Sequence, residues 1–138
     1  MANGTIAFDT LQTSGQITGT AKSVDTDYVV NGSAKSWLNL NGESTIATRD
    51  SFNISGTTDN GTGDYSINVS SAMGNTSYVL ATNGKQGDNN NFESNGLATA
   101  ARPISSSSYR QYCRQSHYEV GSSRDFFVVD SVVLGDLA

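Results

Sequence analysis

The feature that most constrains this chain is a strict two-residue alternation of apolar and polar side chains over residues 64–69. Successive side chains of a β-strand point to opposite faces, so this period predicts a strand with one buried face. Residues 51–55 alternate in the same way, and the stretch between them contains Asn60-Gly61, a dipeptide typical of tight turns. We therefore predict a β-hairpin over residues 51–69.

The rest of the chain favours the same class of fold. No window keeps apolar residues at helical spacing behind a helix cap. Turn-forming residues recur about every ten positions, as in sandwiches and barrels. The sequence predicts further strands, which cover residues 34–40, 44–48, 77–81, 109–120 and 124–134. Of these, we expect the run 126–129, Phe-Phe-Val-Val, to lie in a strand buried on both faces.

The chain of 138 residues has room for one core. We predict an all-β fold, an antiparallel β-sandwich of jelly-roll type over residues 31–138, preceded by an extended N-terminal arm over residues 1–30. The arm has scattered apolar residues and several glycines, which favours contacts with another subunit; two edge strands of the same domain are the alternative. The candidate attachment residues of the arm are Ile6, Phe8 and Leu11.

Charge limits the possible partners. Charged residues make up 15% of the chain against about a quarter in typical globular proteins. A surface of Gly, Ser, Thr and Asn is common in proteins that form assemblies. The net charge of −5 argues against nucleic acid as a partner. Residues 94–124 nevertheless carry a net +3, which fits either an anionic polysaccharide or subunit faces of opposite sign.

No group of residues has the spacing of a catalytic or metal site. Cys113 and His117 are four residues apart, which in a strand is about 13 Å, too far for one metal ion. Asp59 and Asp64 flank a turn that could hold a calcium ion, but such residues commonly bond to their own backbone. No carboxylate pair has a meaningful spacing for glycan hydrolysis. We expect no catalytic residues, no metal and no cofactor.

The most site-like stretch is residues 109–118, in which tyrosines are interspersed with arginine and glutamine. Strand alternation places Arg110, Tyr112 and Arg114 on one side and Tyr109, Gln111 and Cys113 on the other. Aromatic rings stack on sugars, arginine binds acidic groups, and both residue types are enriched at protein interfaces. An interface, a glycan site and a plain strand with inward tyrosines all stay open. Residues 83–96 form a long polar loop with one aromatic residue. The candidate host-contact or partner-contact residues are Phe92, Tyr109, Arg110, Tyr112, Arg114, His117 and Tyr118.

Three stretches, KSWLNLNG at 35–42, RDSFNIS at 49–55 and TDNGTGDY at 58–65, resemble a module of short tail-fibre and other virion structural proteins of marine tailed phages. The likeness covers about residues 30–70, extends to both chain ends and fades over 83–125. It implies a structural role in the virion, three-fold assembly and no enzyme chemistry. In that case the arm over residues 1–30 would serve virion attachment or subunit exchange. The likeness also implies that Trp37, Phe52 and Tyr65 form the core.

The expected function is that of a tail-fibre or adhesin-like subunit that contributes to host attachment, with a capsid decoration or head-fibre protein as the alternative. The expected partners are further copies in a homotrimer, other phage tail or capsid proteins, and a host surface glycan. The N-terminus has no basic start and no apolar core, so we expect no signal peptide, synthesis in the host cytoplasm and a final place in the virion. No apolar run has the length of a membrane helix, so we expect no membrane insertion.

Overall fold

The computed structural model describes residues 30–87, 97–117 and 120–138. Within these ranges the chain is nearly all β-structure, with one helical turn at residues 30–32. The predicted arm residues Ile6, Phe8 and Leu11 lie outside the described residues. The described ranges hold nine strands: β1 Ser36–Asn41, β2 Ala47–Phe52, β3 Ile54–Gly61, β4 Asp64–Val69, β5 Val79–Lys85, β6 Leu97–Ser105, β7 Ser108–His117, β8 Val120–Ser123 and β9 Val128–Leu134.

The strands form two antiparallel sheets, which confirms the prediction of an all-β, antiparallel fold. Sheet A has the strand order β2-β1-β9-β5. Sheet B has the order β3-β4-β7-β6, and β8 pairs with β7 beyond the end of β4. The β3–β4 hairpin confirms the predicted hairpin from residue 54 onwards, although its first strand runs through the glycine-rich stretch that we expected to be a loop.

The chain changes sheet at Asn53, which separates β2 in sheet A from β3 in sheet B. Asn53 has a φ of 56°, a conformation that asparagine tolerates better than most residues. Its side-chain amide donates to the Lys35 carbonyl over 2.9 Å, and its side-chain oxygen accepts the Ser71 N–H over 2.7 Å. The alternation over residues 51–55 therefore belongs to two strands of different sheets and not to one arm of the hairpin.

The core lies between the sheets and follows the predicted alternation. Polar bonds across it also fix how the sheets face each other. The Tyr109 hydroxyl bonds the Ser131 hydroxyl over 2.7 Å, and the Gln111 amide donates to the Asp130 carbonyl over 3.0 Å. Both bonds join β7 of sheet B to β9 of sheet A. The buried apolar side chains are Leu38, Leu40, Tyr65, Ile67, Val69, Met73, Tyr78, Tyr109, Cys113, Phe126, Val129 and Val133.

Two of the three residues expected in the core lie elsewhere. Tyr65 is fully buried, but Phe52 is 54% exposed and Trp37 is only partly buried. Leu38 and Leu40 take the inner face of β1, so alternation turns Trp37 to the outer face, where it pairs with Phe52 of β2. The prediction for Trp37 and Phe52 is therefore wrong.

One further strand prediction was inaccurate, and one strand was missed. Phe126 is buried, but it precedes β9, which begins at Val128 and alternates between buried and half-buried residues. The run 126–129 is thus not a strand buried on both faces. Strand β6 was not predicted, because its sequence, Leu-Ala-Thr-Ala-Ala-Arg-Pro-Ile-Ser, carries little strand signal.

The turn between β3 and β4 is packed against the segment before β9. Gly63 has a φ of 66°, and its carbonyl accepts the Cys113 N–H over 2.8 Å. A Cβ atom at this position would lie 2.4 Å from the Cys113 carbonyl oxygen and 2.7 Å from that of Arg124. Glycine is therefore required here for two reasons, the backbone conformation and the space.

We predict that Gly63→Ala lowers the free energy of unfolding by about 2–5 kcal/mol, from left-handed backbone strain and overpacking together. Urea unfolding followed by circular dichroism measures it. Gly56→Ala is the matched control, because a Cβ at Gly56 on β3 meets nothing within 4 Å. Equal losses in the two variants would contradict the close packing at Gly63.

We also predict that Tyr65→Ala costs about 3–5 kcal/mol of stability, as expected for a large buried aromatic side chain. Phe52→Ala should cost less than about 1 kcal/mol, because more than half of this side chain is already exposed. The same unfolding measurement compares them. A larger loss for Phe52→Ala than for Tyr65→Ala would place Phe52 back in the core.

Candidate binding face

We call the outer face of sheet B the binding face. The alternation of side chains along β7 determines which of its residues lie on this face. Tyr109, Gln111 and Cys113 are fully buried on its inner side. The intervening side chains therefore point away from the core. This places Arg110, Tyr112 and Arg114 in one row on the outer face.

Strand register decides which side chains surround that row. On one side, Tyr112 pairs with Asp64 of β4. On the other side, β6 sets Ala100 opposite Tyr112 and Arg102 opposite Arg110. The alanine is too short to cover the tyrosine ring. A shallow groove of about 420 Å³ results, and its lining is Thr62, Asp64, Ala100, Tyr112, Arg114 and Ser123.

Arg110 and Asp64 form a two-bond ion pair at the edge of this groove. The Arg110 Nε donates to Asp64 Oδ1 over 2.6 Å, and its Nη2 donates to Oδ2. The same guanidinium lies 5.4 Å from the centre of the Tyr112 ring. The hydrogen bond from Arg110 holds the pKa of the Asp64 carboxyl below its usual value, and the carboxylate in turn raises the pKa of Arg110.

Arg102 and Arg114 are exposed, and neither pairs with a carboxylate among the described residues. Arg110 is already satisfied by Asp64, so the positive charge of the face resides mainly on these other two arginines. They lie on either side of the position occupied by Tyr112, one on β6 and one on β7. An anionic ligand would meet two available guanidinium groups with an aromatic ring between them.

Two features of the residues near this face concern reactivity and metal binding. Burial raises the pKa of the Cys113 thiol to about 12, so the sulfur is protonated near neutral pH and is a poor nucleophile. Within the described ranges, no three His, Cys, Asp or Glu side chains approach closely enough to hold a metal ion.

At the predicted turn, the Asp59 carboxylate accepts the Gly61 N–H over 2.8 Å, while Asp64 pairs with Arg110. Both carboxylates are thus engaged in protein contacts. This agrees with the turn-forming interpretation for Asp59, whereas Asp64 pairs with an arginine of β7 and not with its own backbone.

The predicted contact residues fall into three groups. Arg110, Tyr112 and Arg114 lie together on the binding face. Tyr109 is fully buried and bonds Ser131, so its prediction as a contact residue is wrong: alternation turns it into the core. Three of the predicted residues have no described side chain, namely Phe92, His117 and Tyr118.

Sequence reasoning missed Asp64 and Arg102 as members of this face. Asp64 was assigned correctly to the polar side of its strand, but its pairing with Arg110 depends on β4 lying beside β7. Arg102 lies in β6, which was not predicted. The available signal was the basic excess over residues 94–124, which includes Arg102.

Among the described residues, no helix is long and apolar enough to span a membrane. Comparisons with protein-family models, with curated proteins and with solved structures found no match to this chain.

We predict that the Asp64 carboxyl titrates below the usual Asp pKa of about 3.9 and that Arg110→Gln moves it up toward that value. The carboxyl carbon shift in an NMR titration measures both. Because the folded-state pKa is lowered, the pair stabilises the fold above the unfolded-state pKa. That contribution is lost as the pH falls through the folded-state pKa.

Asp50→Asn is the control for this titration, since it removes an exposed carboxylate from sheet A. It should leave the midpoint of Asp64 in place. An Asp64 midpoint that does not change in Arg110→Gln would contradict the ion pair.

Proposed function

We propose that this chain is a non-enzymatic virion subunit of a tailed bacteriophage, of the tail-fibre or adhesin type, that contributes to host attachment by binding an anionic surface polysaccharide. The observation that carries the proposal is the position of Tyr112 in an open groove, flanked by the exposed Arg102 and Arg114. The likeness of residues 30–70 to phage tail-fibre modules supports the virion role.

The binding face has the parts that such a ligand needs. A sugar ring stacks on Tyr112, and its carboxylate or sulfate groups pair with Arg102 and Arg114. The Arg110–Asp64 pair holds one guanidinium near the Tyr112 ring and offers its remaining polar atoms to sugar hydroxyls. A groove open at the surface accepts a polymer along its length, whereas an enclosed pocket would select a small molecule.

We extend the proposal to a jelly-roll type of sandwich that assembles as a homotrimer in the virion. Two antiparallel sheets enclosing one core are compatible with that fold. Three copies on one fibre would place three binding faces on the same host surface. Avidity would then turn weak single-site binding into firm attachment.

A capsid decoration or head-fibre protein is the second candidate. Tyrosine and arginine are also enriched at protein interfaces, so the same face could dock on an acidic patch of a capsid. The two candidates differ in copy number. Gel densitometry of purified virions would show a number near that of the capsid subunit for a decoration protein, and far fewer copies for a tail fibre.

We predict that the protein binds dextran sulfate and polygalacturonate but not neutral dextran, and that added salt weakens binding. Arg114→Gln should weaken it about tenfold or more, since a hydrogen bond to a charged group contributes about 1.5–3 kcal/mol. Tyr112→Ala should also weaken it, because it removes the aromatic ring on which a sugar stacks. Affinity electrophoresis or biolayer interferometry measures the effect.

Arg49→Gln is the matched control, because it removes an exposed arginine from β2 of sheet A. It should leave the affinity nearly unchanged. An equal loss in Arg49→Gln would indicate attraction by overall charge only, and binding to neutral dextran would contradict the anionic ligand. Binding of labelled protein to host cells, lost in Arg114→Gln, tests the attachment role separately.

A further inference from the structure

The outer face of sheet A carries two neighbouring rows of paired side chains with different chemistry. Each row crosses all four strands, from β2 at one edge of the sheet to β5 at the other. The side chains at both ends of the apolar row are exposed, which is typical of a surface that a partner covers. The apolar row consists of Phe52, Trp37, Val132 and Ala81, and the polar row of Asp50, Asn39, Asp130 and Asn83.

The two edges of this face differ in side-chain size and in charge. The β2 edge carries the large ring of Phe52, which is 54% exposed, and next to it the carboxylate of Asp50. The β5 edge carries the small Ala81 and the amide of Asn83, and Lys85 lies one row further along the same side of the strand. The edges are therefore complementary, because a ring matches a small side chain and a carboxylate matches an amide and an ammonium group.

One chain cannot bring these two edges together. Strands β1 and β9 lie between β2 and β5, so the edges are three strand spacings apart, roughly 14 Å at about 4.8 Å each. A second copy of the chain can place its β5 edge against the β2 edge of the first. Matching features on one surface are what a contact between identical subunits requires.

The outer face of sheet B does not offer the same contact. Its available charges are those of Arg102 and Arg114, so two copies joined by this face would bring like charges together. On sheet A, the Arg49 guanidinium is engaged within its own chain: it donates to the Asn41 side-chain oxygen over 3.1 Å and lies 4.2 Å from the centre of the Phe127 ring. The charges of the two faces therefore favour sheet A as the surface that meets another copy.

We propose that the outer face of sheet A is the contact surface between copies of this chain, with the β2 edge of one copy against the β5 edge of the next. The copies are arranged about an axis that runs along the strands, and such an axis keeps each row at one level. Phe52 then meets Ala81, and Asp50 meets Asn83 with Lys85 on the diagonal. Two copies lay one face on the other, and three enclose their faces around the axis.

This contact gives the homotrimer of the proposed function an interface, and it rests on that function only in requiring that copies associate. It uses the face opposite to the binding face. Association and polysaccharide binding can therefore fail independently of each other.

A disulfide tests which residues meet. In Phe52→Cys with Ala81→Cys, mild oxidation of the folded protein should join chains covalently, which electrophoresis under denaturing, non-reducing conditions detects as a shift to dimer or trimer bands. The Cα atoms of a disulfide lie about 4.4–6.8 Å apart, too close for two positions of one chain that are separated by three strand spacings. The native Cys113 is fully buried and stays in place.

The single variants Phe52→Cys and Ala81→Cys are the first controls and should not be cross-linked, because level rows bring Phe52 to Ala81 and not to another Phe52. Thr58→Cys with Ala98→Cys is the matched pair, since it puts exposed cysteines on the two edge strands of sheet B. Equal cross-linking in that pair would indicate random collision, and efficient cross-linking of Phe52→Cys alone would indicate a different arrangement. Either result, or no cross-linking of the Phe52 and Ala81 pair, overturns the proposal.

A charge at the β5 edge tests the contact without cysteine chemistry. Val79 is 60% exposed and lies on the outer face beside the apolar row. Val79→Asp should keep the circular dichroism of the fold but convert the assembly to single chains, because an unpaired carboxylate between copies is unfavourable. Sedimentation equilibrium measures the mass. Thr58→Asp, which places the same charge on an exposed edge of sheet B, should keep the assembly.

The outcomes separate this contact from the proposed function. A Val79→Asp variant that keeps the mass of the unmodified assembly would overturn the contact. An unmodified protein with the mass of a single chain would overturn both the contact and the homotrimer. Loss of polysaccharide binding in an intact assembly would contradict only the binding face.

Discussion

The Asp125 carboxylate is the contact on which the arrangement of the two sheets depends most. Its Oδ1 accepts the Gly63 N–H over 2.7 Å and the Tyr65 hydroxyl over 3.0 Å. The Tyr65 hydroxyl also lies 3.1 Å from the carbonyl of Gly42, in the turn that follows β1. One acidic side chain thus connects the β3–β4 turn of sheet B, a core tyrosine and the segment that leads into β9 of sheet A. Hydrogen bonds to a charged group are stronger than neutral ones, and loss of the carboxylate would leave a backbone N–H without its partner.

The positions of the side chains on the binding face depend on this contact. Gly63 immediately precedes Asp64, so the carboxylate that fixes the turn also fixes where β4 begins. Asp64 then meets Arg110 in register, and Arg110 in turn lies near Tyr112. A slip of one residue in the pairing of β4 with β7 would turn Asp64 inward and Tyr65 outward, since strand side chains alternate with a period of two. The buried tyrosine prevents that slip, and in this way core packing determines surface chemistry.

The sequence predicted which side chains of a strand point inward, because local periodicity reports this. It predicted little that depends on which strands pair with each other. The alternation of 64–69 correctly gave the buried side of β4, and that of β7 correctly separated Arg110, Tyr112 and Arg114 from the inner residues. Phe52 was placed in the core by the resemblance, and periodicity did not correct this, because it does not say which of the two faces of a strand is covered. The sheet change at Asn53 depends on a side chain that bonds to backbone atoms 18 residues away in both directions along the chain. Arg102 was missed because it lies in β6, whose alanine-rich sequence has little strand propensity. This strand forms because it pairs with β7.

The uneven charge of the sequence now has a partial structural explanation. Three of the four arginines between residues 94 and 124, namely Arg102, Arg110 and Arg114, lie on the outer face of sheet B. Asp50 and Asp130 lie on the outer face of sheet A, which also carries the apolar side chains Phe52, Trp37 and Val132. The two outer faces therefore differ in both charge and hydrophobicity, which a domain with a single interacting surface would not require. A cationic, aromatic face suits a ligand that carries negative charge, and an apolar face with an acidic border suits protein contact.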